Sequence, residues 1–407
     1  MHPSRAIIGE ISRELSGKTV VLGVTGSVSV YKSIDYARAL MRRGARVRVV
    51  MSKDAERLVS KEMFSWATGE EAVTELTWKL EHVDLAEEGD ALVIAPATAN
   101  TISKIANGIA DTPVTATALN FLGLKKPVIV VPAMHKPMYD ALGSQLERLR
   151  SMGVEVVQPK MVKDLAHYPD LDFLTDFTVS YLLRGKDLEG MKVLVTAGPT
   201  REYLDPVRFV SNPSSGTMGV AIANEAMFRG ADVVLVHGPL CTSHKPYVRT
   251  VRVETTAEMA EAVEREVNAG YNVVILAGAP ADYRFKSVAG TKLDSATQVP
   301  VAEFERTEKV SARARKPGVF LVGFAAETAK DDNELIEKAK RKKEKHGFDM
   351  VVANNAFRKD IAFASEYNEV VVVTDREVVK LEKDFKTVIA RELLDLVKKY
   401  ARERGVS

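Results

Sequence analysis

The sequence predicts an α/β protein of two domains, each built on a parallel sheet with crossover helices. Three observations predict it. The chain has 407 residues, and a single hydrophobic core stops growing at roughly 250 to 300. Short Val/Ile-rich runs alternate with helical patterns, as strands covered on both faces do. The alternation also starts twice, each time with a buried strand entering a glycine turn, at Gly26 and at Gly198.

In the first half, strands are predicted at 19–24, 46–51, 91–95, 127–131 and 154–157. Between the first two, YKSIDYARALMRRG places Ile34, Ala37, Leu40 and Met41 on one helical face, with Gly44 as the stop. The pattern weakens from Lys160 to Asp176, and the charged stretch between Gly185 and Gly190 reads as a linker. The expected domains are therefore 1–188 and 189–407. In the second half the strands fall at 192–196, 232–237, 272–277, 318–324, 349–353 and 369–374. The amphipathic segment 386–404 reads as a packing helix.

Composition excludes several classes. Hydrophobic residues make up 46% and charged residues 28% of the chain, as in an ordinary globular protein. With a net charge of +2 and mixed signs, no domain-wide positive field points to nucleic acid. No apolar run approaches the ~18 residues of a membrane span, and no signal-peptide core is present, so a cytoplasmic location is expected. The single cysteine, Cys241, excludes an intrachain disulfide, and the seven histidines have no metal-ligand spacing.

Three polar loops carry the chemistry of the first half. In VTGSVSVYK, Gly26 turns the chain at a strand end, and Ser27 and Ser29 sit where a helix N-terminus suits a phosphate. In APATANTISKIANGIAD, Thr98, Asn100 and Thr101 could meet a polar ring edge or phosphate, or could only cap a helix. PAMHKPMY forms a rigid rim bearing His135.

Together with HVDLA, these segments closely resemble the flavin-containing cysteine decarboxylase family, specifically phosphopantothenoylcysteine decarboxylase, over most of residues 18–160. The resemblance implies a flavodoxin/Rossmann-like parallel sheet and FMN held by Gly26, Ser27, Ser52, Ala97, Thr98 and Asn100, in a pocket between subunits. It also implies that His82 is the essential histidine, acting as a base or orienting the carboxylate. A flavin is needed because the cysteine carboxylate has no electron sink until its thiol is oxidised. Two departures stand out. His135 occupies the place of an asparagine that binds the substrate carboxylate, and no cysteine lies in residues 1–240 to protonate the enethiol. Lys160, Lys163 or His135 is the expected replacement donor.

The second half offers TAGPTREYLDPVRFVSNPSSG, where Gly198 makes the turn, Arg201 and Arg208 add positive charge able to grip phosphate, and SNPSSG leads into a helix. The GK[ST] ending of a Walker A loop is absent. Lys338, Lys342 and Lys345 recur at near-helical spacing and, beside Lys292 and Asp282, could clamp a triphosphate. With GFAAET and the Asn354–Asn355 pair, these motifs closely resemble phosphopantothenate-cysteine ligase, a Rossmann-like domain, over about residues 190–385. By that resemblance Asn212 stabilises an acyl-nucleotide and Lys292 contacts phosphate. Ala279, Asp282, Glu308, Lys309, Val310, Ser311, Phe324, Lys342 and Lys345 hold the nucleotide, although the segment 308–311 lacks the family's usual proline.

The expected function is bifunctional and belongs to coenzyme A biosynthesis. Phosphopantothenate would be coupled to cysteine with CTP and Mg²⁺, and the product decarboxylated with FMN. No Mg²⁺ ligands are assigned. The resemblance also implies a homo-oligomer with trimeric decarboxylase and dimeric ligase contacts, able to build a dodecamer. A flavin-binding regulatory protein of the same fold is the alternative, against which intact His82 and the complete ligase half argue.

Overall fold

The computed structural model describes residues 2–294, 301–358, 360–361 and 365–406. The chain divides into two compact units, Met1–Leu183 and Arg184–Ser407.

The first unit carries a five-stranded parallel sheet of β1 (Thr19–Val24), β2 (Arg46–Met51), β3 (Ala91–Ala97), β4 (Val128–Pro132) and, past β5 (Met134–His135), β6 (Glu155–Val156). Its order is β2-β1-β3-β4-β6. β1, β3 and β4 are buried at every residue, which explains why the sequence shows runs rather than alternation. Because the chain leaves β1 toward β2 and returns on the other side as β3, the strand order reverses between β1 and β3, and ligands bind at such a point. Beyond the expected strands, β7 (Lys160–Val162) and β8 (Leu165–His167) form a hairpin that joins β5 in a small antiparallel sheet.

The second unit opens with β9 (Lys192–Ala197) and the hairpin β10 (Arg201–Tyr203) and β11 (Phe209–Ser211). It continues with β12 (Asp232–His237), β13 (Arg249–Arg252), β14 (Val273–Leu276), the pair β15 (Tyr283–Phe285) and β16 (Phe304–Arg306), and then β17 (Phe320–Glu327), β18 (Met350–Asn355), β19 (Tyr367–Val373) and β20 (Val378–Phe385). The main sheet runs β13-β12-β9-β14-β17-β18-β19-β20 and reverses between β9 and β14. Successive β9 residues serve opposite cores. Val193 and Val195 pack with helices Thr217–Phe228 and Lys386–Glu403, whereas Leu194 packs with helix Thr256–Asn268. The segment 386–404 is thus a packing helix, as its amphipathic pattern predicts. β19 runs antiparallel to both its neighbours, β18 and β20, and the edge strands β13 and β20 carry no continuous apolar run to announce them.

Arg229 is fully buried in this unit. Its guanidinium donates to both carboxylate oxygens of Asp187, each at 2.7 Å, and pairs with Asp395 at 2.8 Å. Lys398 also donates to Asp187, so the start of the unit is tied to its last helix.

Candidate functional site

At the carboxyl edge of the first sheet the predicted loops are bonded into one piece. The Thr25 hydroxyl donates to the Pro96 carbonyl at 2.7 Å and accepts from the Thr98 amide at 3.0 Å. The Ser27 hydroxyl donates to the Ala133 carbonyl at 3.3 Å, and the Ala133 amide donates to Ala97 at 3.2 Å. Ser52 follows β2, bonds the Val24 carbonyl through its amide, and caps helix Lys53–Leu58. Thr98 caps helix Ala99–Ala106, whose first turn exposes Asn100. A Cβ at Gly26 would stand 2.5 Å from the Asp54 Cβ, so only glycine lets the ends of β1 and β2 approach this closely. The structure therefore brings together Gly26, Ser27, Ser52, Ala97 and Thr98.

His82 lies in the first turn of helix Glu81–Glu88, and its Nδ1 is buried without a hydrogen-bond partner. An orphaned buried ring nitrogen is costly, and such groups mark functional positions. In the small antiparallel sheet, His135 faces Leu165 and Lys160 faces His167, so all four side chains emerge on one face. Lys160 pairs with Asp170 at 3.2 Å, while exposed Lys163 occupies the hairpin turn with φ 51°. His167, which the sequence reading passed over, lies at the hairpin base. Its Ala166 neighbour pairs with Met134, one residue from the loop-bridging Ala133. Next to it, Tyr168 is buried, and burial holds its phenol well above the ordinary range.

In the second unit a cavity of about 410 Å³ opens at the carboxyl edge of β9, β14 and β17. Its walls are the loop Asn212–Gly219, the turn Gly278–Asp282 and the segment Lys309–Ser311. The amide nitrogen of Asn212 donates to the carbonyls of Ala279 and Pro280, both at 3.1 Å, tying the first two walls together. Gly198, with φ 73°, lies beneath them. A Cβ there would meet the Pro239 carbonyl oxygen at 2.9 Å. Asp282 forms an ion pair with Lys309, and Lys342 lies 3.6 Å from Glu327. Phe324 from β17 and Val310 supply apolar surface.

Several predicted residues do not reach this cavity. Glu308 lines a separate small recess and bonds Arg313 at 3.0 Å. Lys345 is exposed on helix Asp332–His346, which turns Lys342 and His346 inward at i, i+4 spacing. Lys338 is likewise outside, donating to the Thr328 carbonyl at 2.6 Å. Lys292 is exposed on a segment held by Asp205, which accepts from the Leu293 amide at 3.2 Å. Arg201 and Arg208, read as anion grips, do not line this cavity. Arg201 bonds Glu254 at 3.0 Å and stacks on Phe209, and Arg208 bonds Asp205 at 2.9 Å and the Leu293 carbonyl at 3.0 Å. Both serve the β10–β11 hairpin.

Sequence reasoning also missed two cavity residues, His346 and Lys386. Burial, followed by the charges of Lys309, Lys342 and Lys345, pushes the His346 imidazole below its ordinary value.

The first unit is a parallel sheet with hydroxyl-capped loops at its switch point, the second a sheet unit with a cation-lined cavity, and the family models that match them are those of a fused flavoprotein. The Flavoprotein family model matches residues 8–183, and the DNA/pantothenate metabolism flavoprotein C-terminal domain matches residues 188–400. The Coenzyme A biosynthesis bifunctional protein CoaBC of Thermococcus kodakarensis is 43% identical over 409 residues, covering 98% of this chain and 99% of that one. The protein of that name from Methanocaldococcus jannaschii is 32% identical, covering 99% and 98%. That of Escherichia coli (strain K12) is 36% identical, covering 87% and 90%. The chain belongs to the family of coenzyme A biosynthesis bifunctional proteins. It is a bifunctional enzyme with decarboxylase and ligase activities.

Proposed function

We propose that the C-terminal unit joins 4'-phosphopantothenate to cysteine at the expense of CTP, and that the N-terminal unit decarboxylates the product to 4'-phosphopantetheine with FMN. The observation that carries the ligase reading is the Asn212 amide spanning two loops at the mouth of a cavity with paired lysines. A substrate carboxylate oxygen attacks the nucleotide's α-phosphorus, and the bond to the β-phosphate breaks to release pyrophosphate. The cysteine amine then attacks the acyl carbon and the monophosphate departs. Both Asn212 amide hydrogens are committed to loop carbonyls, so its Oδ1 is placed to accept from the incoming amine. Lys309 and Lys342 hold phosphate oxygens, with Asp282 and Phe324 beside the nucleoside. Among the described residues no cluster of three or more His, Cys, Asp or Glu could cage a metal. Mg²⁺ would therefore ride on the nucleotide's phosphates, as it commonly does.

The residues of the first unit fit a flavin. Ser27, Ser52 and Thr98 carry hydroxyls on the loops at one sheet edge, and His82 has a buried Nδ1 without a partner. Bound FMN supplies a reversible two-electron acceptor beside the substrate thiol. His82 holds or moves a proton at Nδ1. His135 meets the substrate carboxylate, and the hairpin donates the final proton from Lys160, Lys163, His135 or His167. A cytoplasmic homo-oligomer, as the family resemblance implies, is the assembly proposed with it.

The test is to supply 4'-phosphopantothenate, cysteine, Mg²⁺ and either CTP or ATP, and to follow pyrophosphate and carbon dioxide separately. Pyrophosphate without carbon dioxide eliminates the decarboxylase and favours a flavin-binding regulatory role for the first unit. Neither product eliminates both activities.

A further inference from the structure

Lys386 is the first residue of the final helix, far in sequence from every motif above, yet it lines the ligase cavity. It is 5% exposed. Its backbone amide bonds Glu366, and its ammonium donates to the Ser365 carbonyl, its one side-chain hydrogen-bond acceptor among the described residues. The Glu366 carboxylate bonds His244 at 2.9 Å rather than Lys386. Three lysines line this cavity, and two are paired with carboxylates: Lys309 with Asp282 and Lys342 with Glu327. Lys386 has no carboxylate at ion-pair distance among the described residues, and Glu366 attracts it only from farther away. Helix Thr217–Phe228 also directs its N-terminus, the positive end of its dipole, at the same cavity.

A buried ammonium has three N–H donors, and one neutral carbonyl leaves it undersatisfied. Burial pushes its pKa down. Charge complementarity then specifies the missing partner as an anion. We propose that Lys386 binds a phosphate oxyanion in this cavity, contributed either by the nucleotide's polyphosphate or by the phosphate of the pantothenate substrate. The inference rests on the ligase reading of this unit.

The experiment compares full-length wild type, Lys386→Met and Lys386→Gln by calorimetric titration with CTP, pyrophosphate, 4'-phosphopantothenate and cytidine in Mg²⁺ buffer. A charge-assisted hydrogen bond predicts about 10- to 100-fold weaker binding of a phosphate-bearing ligand, with cytidine unchanged. Loss confined to CTP and pyrophosphate assigns Lys386 to the nucleotide's polyphosphate. Loss confined to 4'-phosphopantothenate assigns it to the substrate's phosphate. All affinities within twofold of wild type overturn the proposal. So does an equal loss for cytidine, which would mark a collapsed cavity. Should the methionine variant not fold, the glutamine variant carries the same comparison. Wild type that binds neither CTP nor 4'-phosphopantothenate removes the ligase reading itself, whereas wild type that binds both, with unchanged variants, removes only this assignment.

Discussion

Replacing Asn212 with alanine tests how the ligase cavity is assembled. The side chain contributes two hydrogen bonds, both 3.1 Å long, to the carbonyls of Ala279 and Pro280. The residue is exposed, so each bond is worth the lower part of the usual range, about 0.5 to 1 kcal/mol. The pair therefore holds the two loops together by about 1 to 2 kcal/mol, a factor of about 5 to 30 in the population of the closed mouth. By the same magnitude the melting temperature of Asn212→Ala should fall by no more than about 2 to 8 °C. Turnover should fall further than loop opening alone explains if Oδ1 also serves the reacting amine, by about 10²- to 10³-fold in total. Rapid-quench measurement of acyl-nucleotide and amide product separates the effects. Loop opening slows both half-reactions, while loss of the amine acceptor lets acyl-nucleotide accumulate. Rates of both half-reactions within twofold of wild type would refute the role given to Asn212.

Three further outcomes follow from the same geometry. Gly26→Ala forces a Cβ to within 2.5 Å of Asp54, a clash costing about 1 to 3 kcal/mol at the flavin crevice. The purified variant should lose the yellow absorbance while keeping ligase activity, and full flavin retention would count against the assignment. Arg229→Met removes the buried partner of Asp187 and Asp395, which keep Lys398 and Arg184, and should destabilise the second unit by about 1 to 3 kcal/mol in urea titration. Burial acts to raise the Asp187 pKa, but Arg229 and Lys398 outweigh it and hold the carboxyl below its ordinary value. Its contribution is therefore present above the unfolded pKa of about 4 and is lost as pH falls through the lower folded value, so the variant's acid unfolding should be flatter there. Finally, alanine at Lys160, Lys163 or His167 should leave carbon dioxide release intact while enethiol accumulates in single-turnover mass spectra, whereas His135→Ala should slow carbon dioxide release as well. Unchanged enethiol consumption in all four would move the proton donor off the hairpin.

The sequence by itself determined the strand-and-helix alternation, the two restarts at Gly26 and Gly198, and the loops that reach the ligand edges. Burial of β1, β3, β4 and β9 on both faces demands continuous apolar runs, and the glycines and capping hydroxyls sit in the loops that follow, so both signals are local. Only the tertiary structure decided which charged residues line the cavity. Arg201 and Arg208 read as anion grips, but they pair with Glu254 and Asp205 and lie outside the cavity lining. Lysines on one helix look equivalent in sequence, yet helix rotation sends Lys342 inward and Lys345 to solvent. The antiparallel direction of β19 was equally silent, because a strand's direction is set by its partners and not by its own residues. Lys386 carries no motif at all. Its meaning comes from the sheet that folds the last helix back beside Met218 and Asn368, where a lysine ordinary in sequence becomes a buried charge facing a cavity.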